Sequence, residues 1–389
     1  MAAVGLMADD DDRLSAPGRC GAHVVRRRAG REPLVDLRLA ETERGSGLAR
    51  PEQRARDDRV GREAVAPQAL AEGASVLAAL RRQLPQLVGV AGSCLCVPDD
   101  EEAHRRENDS LALVAGHRYV VTDVFTDVPL TGNQLAVFTD ARDIPEEQLQ
   151  KLAREMNYSE TTFVYPPETD GNVKVRIFTP DRELPFAGHP ILGTAFVLAG
   201  PLQLEEIRLE TGNGVVPVRL EREGARIVFG WMQQPHVVSE PFERVDELLA
   251  VLGAEQTGLP IELYRQGPGH VLVELPSAGE LAALRPDVGA LARLMHEGAA
   301  CFAHDGRRWK LRVFVPAYGV DEDPATGSAA GPLALHLARH ERIAFGEEIE
   351  ISQGVEIGRP STLYAVAQSP EQVDVGGSAV IVARGEFRI

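Results

Sequence analysis

At 389 residues the chain exceeds one ordinary core, so more than one domain is expected. Its net charge of −17 excludes the basic footprint of a nucleic-acid binder or of a protein drawn to anionic lipid, and leaves a solvated acidic surface. No apolar run approaches the roughly 18 residues of a membrane-crossing helix, and "MAAVGLMADDDD" puts acid where a signal peptide carries positive charge, which points to the cytoplasm.

The first 117 residues differ in kind from the rest. They hold 17 arginines, no lysine and no aromatic residue, whereas all twenty Phe, Tyr and Trp lie from Tyr119 onward. Apart from "SVLAALRRQLPQLVGV", which reads as one helix, the segment lacks apolar periodicity and buries too little to offset chain entropy. It is expected to be either a disordered extension or a stretch ahead of a true start near Val114, with no function placed there. Cys20, Cys94, Cys96 and Cys301 are too scattered for a disulfide framework, and Cys94-x-Cys96 lacks zinc-ligand spacing, so no metal is expected there.

From Tyr119 the pattern sharpens. "RYVVTDVF" and "QLAVF" read as strands around the turn "TDVPLTGN". "IPEEQLQKLAREMN" reads as an amphipathic helix with Ile144, Leu149, Leu152 and Met156 on one face. "TTFVYPP" and "KVRIFTP" follow as strands, and Asn213-Gly214 in "TGNGVVPVRLE" signals a tight hairpin.

The second half then repeats the first. "VRIFTPDRELPFAGHPILGTAFVLAG" (175–200) aligns with "LRVFVPAYGVDEDPATGSAAGPLALHL" (311–337), setting Arg176 and Arg312 136 residues apart. "GNQLAVF" (132–138) aligns with "GHVLVEL" (269–275) at an offset of 137. Two motifs sharing nearly one offset argue for internal duplication, and two similar lobes leave a cleft between them.

The chemistry falls at the two helix starts. Gly188-His189-Pro190 and Thr326-Gly327-Ser328 each open a helix, where unpaired backbone N–H groups and small residues suit an anion such as a carboxylate. Asp323 is either an ordinary helix cap or a carboxylate beside that anion site. Glu160 is either a solvated strand end or a buried carboxyl raised toward neutral pH as a general acid/base. His189 is equally readable as a core residue or a proton carrier. These residues alone do not yield a reaction.

"TDVFTDVPLTGNQLAVF", "YSETTFV", "FTPDRELPFAGHPILGTA" and "DEDPATGSAAG", in this order and spacing, resemble the phenazine biosynthesis PhzF-like family from about Tyr119 to Ile389. The resemblance implies an α+β, diaminopimelate epimerase-like fold: two pseudo-symmetric lobes, 118–235 and 236–389, each a curled β-sheet or barrel around a central helix. The active site would lie in the cleft between them. It implies a cofactor-independent isomerase, expected as a homodimer, that moves a proton on a small, amino-acid-like carboxylate. Glu160 would carry the proton, assisted by His189, Asp323 and Ser328. Asn133, Ser159, Thr326 and the backbone at Gly188 and Gly327 would hold substrate. Ser159-Glu160 and Asp323-Pro324 stand where related racemases carry paired cysteines, so two-thiol racemisation is disfavoured. Two rivals remain: a non-catalytic small-molecule-binding protein or scaffold, and a hydrolase using Ser328 with His189, which lacks the Gly-x-Ser-x-Gly elbow.

Overall fold

The computed structural model describes residues 116–389. The segment expected to be disordered or untranslated lies outside the described residues, except for Gly116 and His117, which open the first strand.

The first half runs β1 (Gly116–Val124), β2 (Asn133–Phe138), α1 (Glu146–Met156), β3 (Glu160–Tyr165), β4 (Val173–Phe178), β5 (Glu183–Leu184), α2 (Gly188–Leu202), β6 (Glu206–Thr211), β7 (Gly214–Glu223) and β8 (Arg226–Gln233). β1 pairs antiparallel with β2, β2 parallel with β3, and β3 antiparallel with β4. β4 takes β5 antiparallel and β6 parallel, and β6, β7 and β8 form an antiparallel meander. The expected hairpin forms one residue early: Thr211 faces Gly214, so Gly212 and Asn213 make the loop.

After β9 (Val238–Pro241) and α3 (Val245–Leu252), the second half runs β10 (Glu262–Arg265), β11 (Gly269–Glu274), α4 (Ala278–Ala283), α5 (Val288–Leu294), β12 (Gly298–Asp305), β13 (Arg308–Val315), β14 (Val320–Asp323), α6 (Gly327–Arg339), β15 (Glu348–Gln353), β16 (Ser361–Ser369) and β17 (Gln372–Gly377). Its pairings repeat those of β1–β8 in order and sense: β10–β11 antiparallel, β11–β12 parallel, β12–β13 and β13–β14 antiparallel, β13–β15 parallel, then an antiparallel meander to β17. β9 flanks β10, and the last strand, β18 (Ala379–Arg388), flanks β1. β8 and β17 pair with each other and join the halves. The C-terminal strand therefore returns to the first half.

α2 and α6 occupy equivalent places and are buried all round, from Gly188 to Ala199 and from Gly327 to Ala338. Such helices have no solvent face, which is why both read as apolar on every side. They share the main core, where Ile191, Leu192 and Phe196 meet Leu333 and Leu335 with strand residues of both halves. α1 covers an outer face through Leu149, Leu152 and a Phe138–Phe163–Phe178 cluster. α3, α4 and α5 cover the equivalent face of the second half.

The duplication extends to ion pairs. Arg176 on β4 binds Glu183 on β5 (2.7 Å), and Arg312 on β13 binds Glu322 on β14 (2.7 Å). The second pair is buried, and the Arg312 guanidinium also donates to the carbonyls of Leu281 and Leu284, so its charge is matched by acceptors.

Candidate active site

The N-termini of α2 and α6 meet. A Cβ on Gly188 would lie 2.8 Å from the Cα and C of Gly327 and from the N of Ser328. Only glycine permits this backbone-on-backbone approach. Regular bonding begins at Ile191 N–H to Ala187 in α2 and at Ala329 N–H to Thr326 in α6. The N–H groups of Gly188, His189, Gly327 and Ser328 fall ahead of those points, in first turns that leave donors without intrahelical acceptors. Two positive helix ends thus converge in one place, as the helix starts implied.

Three of the acids in "VDED" and its neighbours have separate fates. Asp321 is exposed, Glu322 is taken by Arg312, and Asp323 turns inward at the end of β14. Asp323 does not cap α6: the cap residue is Thr326, whose side chain makes no capping hydrogen bond. Its Oδ1 instead accepts from Asn133 Nδ2 (2.9 Å) and Ser159 Oγ (3.0 Å), and its Oδ2 from Thr326 Oγ1 (2.5 Å). Burial still outweighs these bonds and pushes the Asp323 carboxyl up to about 6.

Asn133 is the hub. It opens β2 after the loop 125–132, which Arg359 clamps by binding Asp123 (2.7 Å) and the carbonyls of Thr131 and Gly132. The Asn133 amide donates to Asp323 and to the Ala325 carbonyl, and its Oδ1 accepts from Ser159. Those partners fix which end of the amide is nitrogen. His189 Nδ1 lies 3.1 Å from that nitrogen, which cannot accept a hydrogen bond, so the neutral ring is assigned its proton on Nε2. Burial keeps the ring neutral, holding His189 down at about 3.

That Nε2 faces Glu160. Glu160 Oε2 is 3.4 Å away, in contact but not aligned as a hydrogen bond, and has no hydrogen-bond partner. The Glu160 side chain begins β3 and keeps 15% exposure, so the solvated reading fails. Burial, and then the charge of Asp323, raise it well above the ordinary carboxylate range. Asn133, Ser159, Glu160, His189, Asp323 and Thr326 thus form one contiguous group beside the Gly188–Gly327 contact.

Ser328 stands apart from this network. Its hydroxyl meets His270 Nε2 at 2.9 Å, not His189. The hydrolase pairing is thereby lost, and His270 Nδ1 has no partner to orient it as a catalytic base. His270 is the second-half counterpart of Asn133, and Ser328 that of His189, so the contact repeats Asn133–His189 on the other side of the cleft.

Three glutamines and His270 were not among the residues expected at the site. Pro332 lacks the N–H that would bond the Ser328 carbonyl, and Gln266 Nε2 supplies it instead (2.9 Å). Gln234 Nε2 donates to the Gly327 carbonyl (2.8 Å), and Gln234 Oε1 accepts from Gln266 Nε2 (2.8 Å). Gln353 accepts from Thr326 N–H and donates to the Asp323 carbonyl and the Thr326 hydroxyl. Of these three glutamines and His270, only His270 had a signal, the 137-residue offset from Asn133. Cys301, the sole cysteine among the described residues, lies buried on β12 with its thiol pushed up to about 12 by burial, so no thiol pair faces the cleft.

Comparison with known proteins agrees with this geometry. The family model of phenazine biosynthesis-like proteins matches residues 122–385. The chain is 52% identical to trans-2,3-dihydro-3-hydroxyanthranilate isomerase of Pseudomonas aeruginosa, over 69% of this chain and 98% of the relative. A PhzF-family phenazine biosynthesis protein of Bacillus anthracis superposes with a TM-score of 0.61 at 26% identity, covering 71% of this chain and all of that one. A hydroxyproline epimerase of Agrobacterium vitis shares the fold alone, with a TM-score of 0.50 at 11% identity over 70% of this chain and 93% of that one. The fold is diaminopimelate epimerase-like, with two pseudo-symmetric lobes, and the chain is an isomerase of the phenazine biosynthesis PhzF-like family.

Proposed function

We propose that this protein isomerises a dihydroaromatic amino acid of the trans-2,3-dihydro-3-hydroxyanthranilate type, the substrate named for its 52%-identical relative. The observation that carries the reading is a raised, unpartnered Glu160 beside neutral His189, next to two converging helix N-termini. The free N–H groups at Gly188, His189, Gly327 and Ser328 hold the substrate carboxylate. This neutralises it, so that charge developing on the ring is not added to an existing one.

In its ionised form Glu160 takes a proton from a ring carbon and returns it at another, leaving composition unchanged. His189 Nε2–H, 3.4 Å from Glu160, steadies the carboxylate while it is charged and yields as it gains the proton. Asp323 raises the basicity of Glu160 and, through Asn133 and Ser159, fixes the wall of the site. No step needs a metal or a cofactor, and no helix among the described residues is long and apolar enough to cross a membrane.

The lobes meet at this cleft, 118–235 on one side and 236–389 on the other, with β18 returned to the first; the repeated pairing order supports the division. A cytoplasmic homodimer belongs to the same proposal and rests on the family resemblance, with sedimentation mass as its test. The activity itself is tested by incubating the protein with trans-2,3-dihydro-3-hydroxyanthranilate. Loss of substrate to a product of equal mass supports the assignment. A compound that binds but never changes would support the non-catalytic alternative instead.

A further inference from the structure

At the opposite end of α6 from the active site, Tyr264, His336 and His340 converge on one carboxylate oxygen of Glu262. His340, the residue that caps the C-terminus of α6, follows His336 by four positions. Glu262 and Tyr264 alternate on β10 and point the same way. Glu262 Oε2 lies 3.1 Å from His336 Nδ1, 3.2 Å from His340 Nε2 and 2.8 Å from the Tyr264 hydroxyl, which is itself 3.0 Å from His336 Nδ1.

Tetrahedral Zn2+ with nitrogen and oxygen ligands at about 2.0–2.1 Å places neighbouring ligand atoms roughly 3.3–3.4 Å apart. The two Glu262–histidine separations already fall within a few tenths of an ångström of that edge. Donor atoms of all three residues lie within 4.8 Å of one another. His336 is fully buried against the rings of Phe302 and Tyr264, while His340 and Glu262 keep 24% and 23% side-chain exposure. One side of the cluster is therefore dry and shaped, and the other is open to an entering ion and a water ligand. Arg339 is turned onto the ring face of Tyr264 and to the Ser239 hydroxyl.

We propose that Glu262, His336 and His340 form a site for one zinc-class divalent ion, with the Tyr264 hydroxyl or a water as fourth ligand. Imidazole and carboxylate donors suit such an ion. It pins the C-terminal turn of α6 to β10, and its positive charge opposes the negative end of the helix dipole. His336 is nine positions beyond Gly327, about 14 Å along the helix, so the ion is a structural clamp separate from the proton-transfer site.

The test uses the full chain, stripped with chelator, desalted and titrated with Zn2+ alone by calorimetry. Co2+ titration, followed by visible absorption, reports tetrahedral nitrogen/oxygen ligation. About one equivalent should bind with a rise in the thermal midpoint. His340→Ala and Glu262→Gln should each lower the affinity at least ~10-fold and abolish the Co2+ spectrum, while isomerase activity persists in metal-free buffer. Failure of the wild-type chain to bind Zn2+ would overturn the proposal. So would equal binding by His340→Ala and Glu262→Gln, which would put the metal on other residues.

Discussion

The Gly188→Ala substitution adds one methyl where two helix backbones touch. The new Cβ would sit 2.8 Å from three backbone atoms of Gly327 and Ser328, whereas ordinary contact begins at 3.4 Å. Backbone cannot swing aside as a side chain can, so the two helix ends must part by at least ~0.6 Å. Overpacking of this kind costs about 1–3 kcal/mol, a fall in thermal midpoint of roughly 2–10 °C for a body of this size. A catalytic effect of similar size accompanies the stability effect, because the same displacement spreads the N–H groups proposed to receive the substrate carboxylate. A misplacement near 1 Å costs on the order of 100-fold, so kcat/KM should fall between ~10- and ~100-fold. The assay is steady-state turnover alongside differential scanning calorimetry. Gly200→Ala, on the same helix with nothing within 4 Å of its Cβ, is the control and should keep wild-type turnover. Turnover of Gly188→Ala within twofold of wild type, at an unchanged midpoint, would refute the convergence of the two helix ends as the source of binding.

Three further outcomes follow from the same site. The acidic limb of kcat/KM should lie above the ordinary carboxylate range of about 4, because a base must be ionised and both Glu160 and Asp323 are raised; Asp323→Asn removes a repelling charge and should shift that limb to lower pH, as a rate profile from pH 4 to 8 would show. A carboxyl raised in the folded state costs stability once ionised. Glu160→Gln should therefore raise the thermal midpoint at neutral pH, with the gain vanishing below the ordinary carboxylate value, and a pH-independent difference would contradict the buried-charge account. Glu322→Ala strips the partner from buried Arg312 and should destabilise by about 3–5 kcal/mol in denaturant titration, whereas a loss under ~1 kcal/mol would mean that water reaches the guanidinium.

Much of this architecture was legible because the duplication left one offset in the sequence. Arg176 and Arg312 do occupy equivalent strands, each bound to the glutamate of the next strand. The helix-start motifs marked both helix ends of the proposed anion site, and Asn133, Ser159, Glu160, His189, Asp323 and Thr326 lie together beside them. What could not be read were partners that act only through tertiary approach. Gln234, Gln266 and Gln353 serve carbonyls and hydroxyls of α6 from distant strands and loops, and nothing local distinguishes them from surface glutamines. Pro332 inside an apolar helix was an available hint that an outside donor was needed. The return of β18 to β1 followed no local pattern either, since strand pairing across more than 250 residues is set by the closure of the whole body. His336 and His340 were visible four positions apart in "LHLARH", but the strand supplying Glu262 was not.

The central claim is that Glu160 carries the proton, and Glu160→Gln tests it most directly. Glutamine keeps the shape and the approach to His189 but cannot accept a proton. Substrate binding, measured by calorimetry, should stay within a fewfold of wild type, while kcat falls by about 100- to 10,000-fold. A Glu160→Gln protein that turns over at the wild-type rate would contradict the account, because the proton would then be moving through another group.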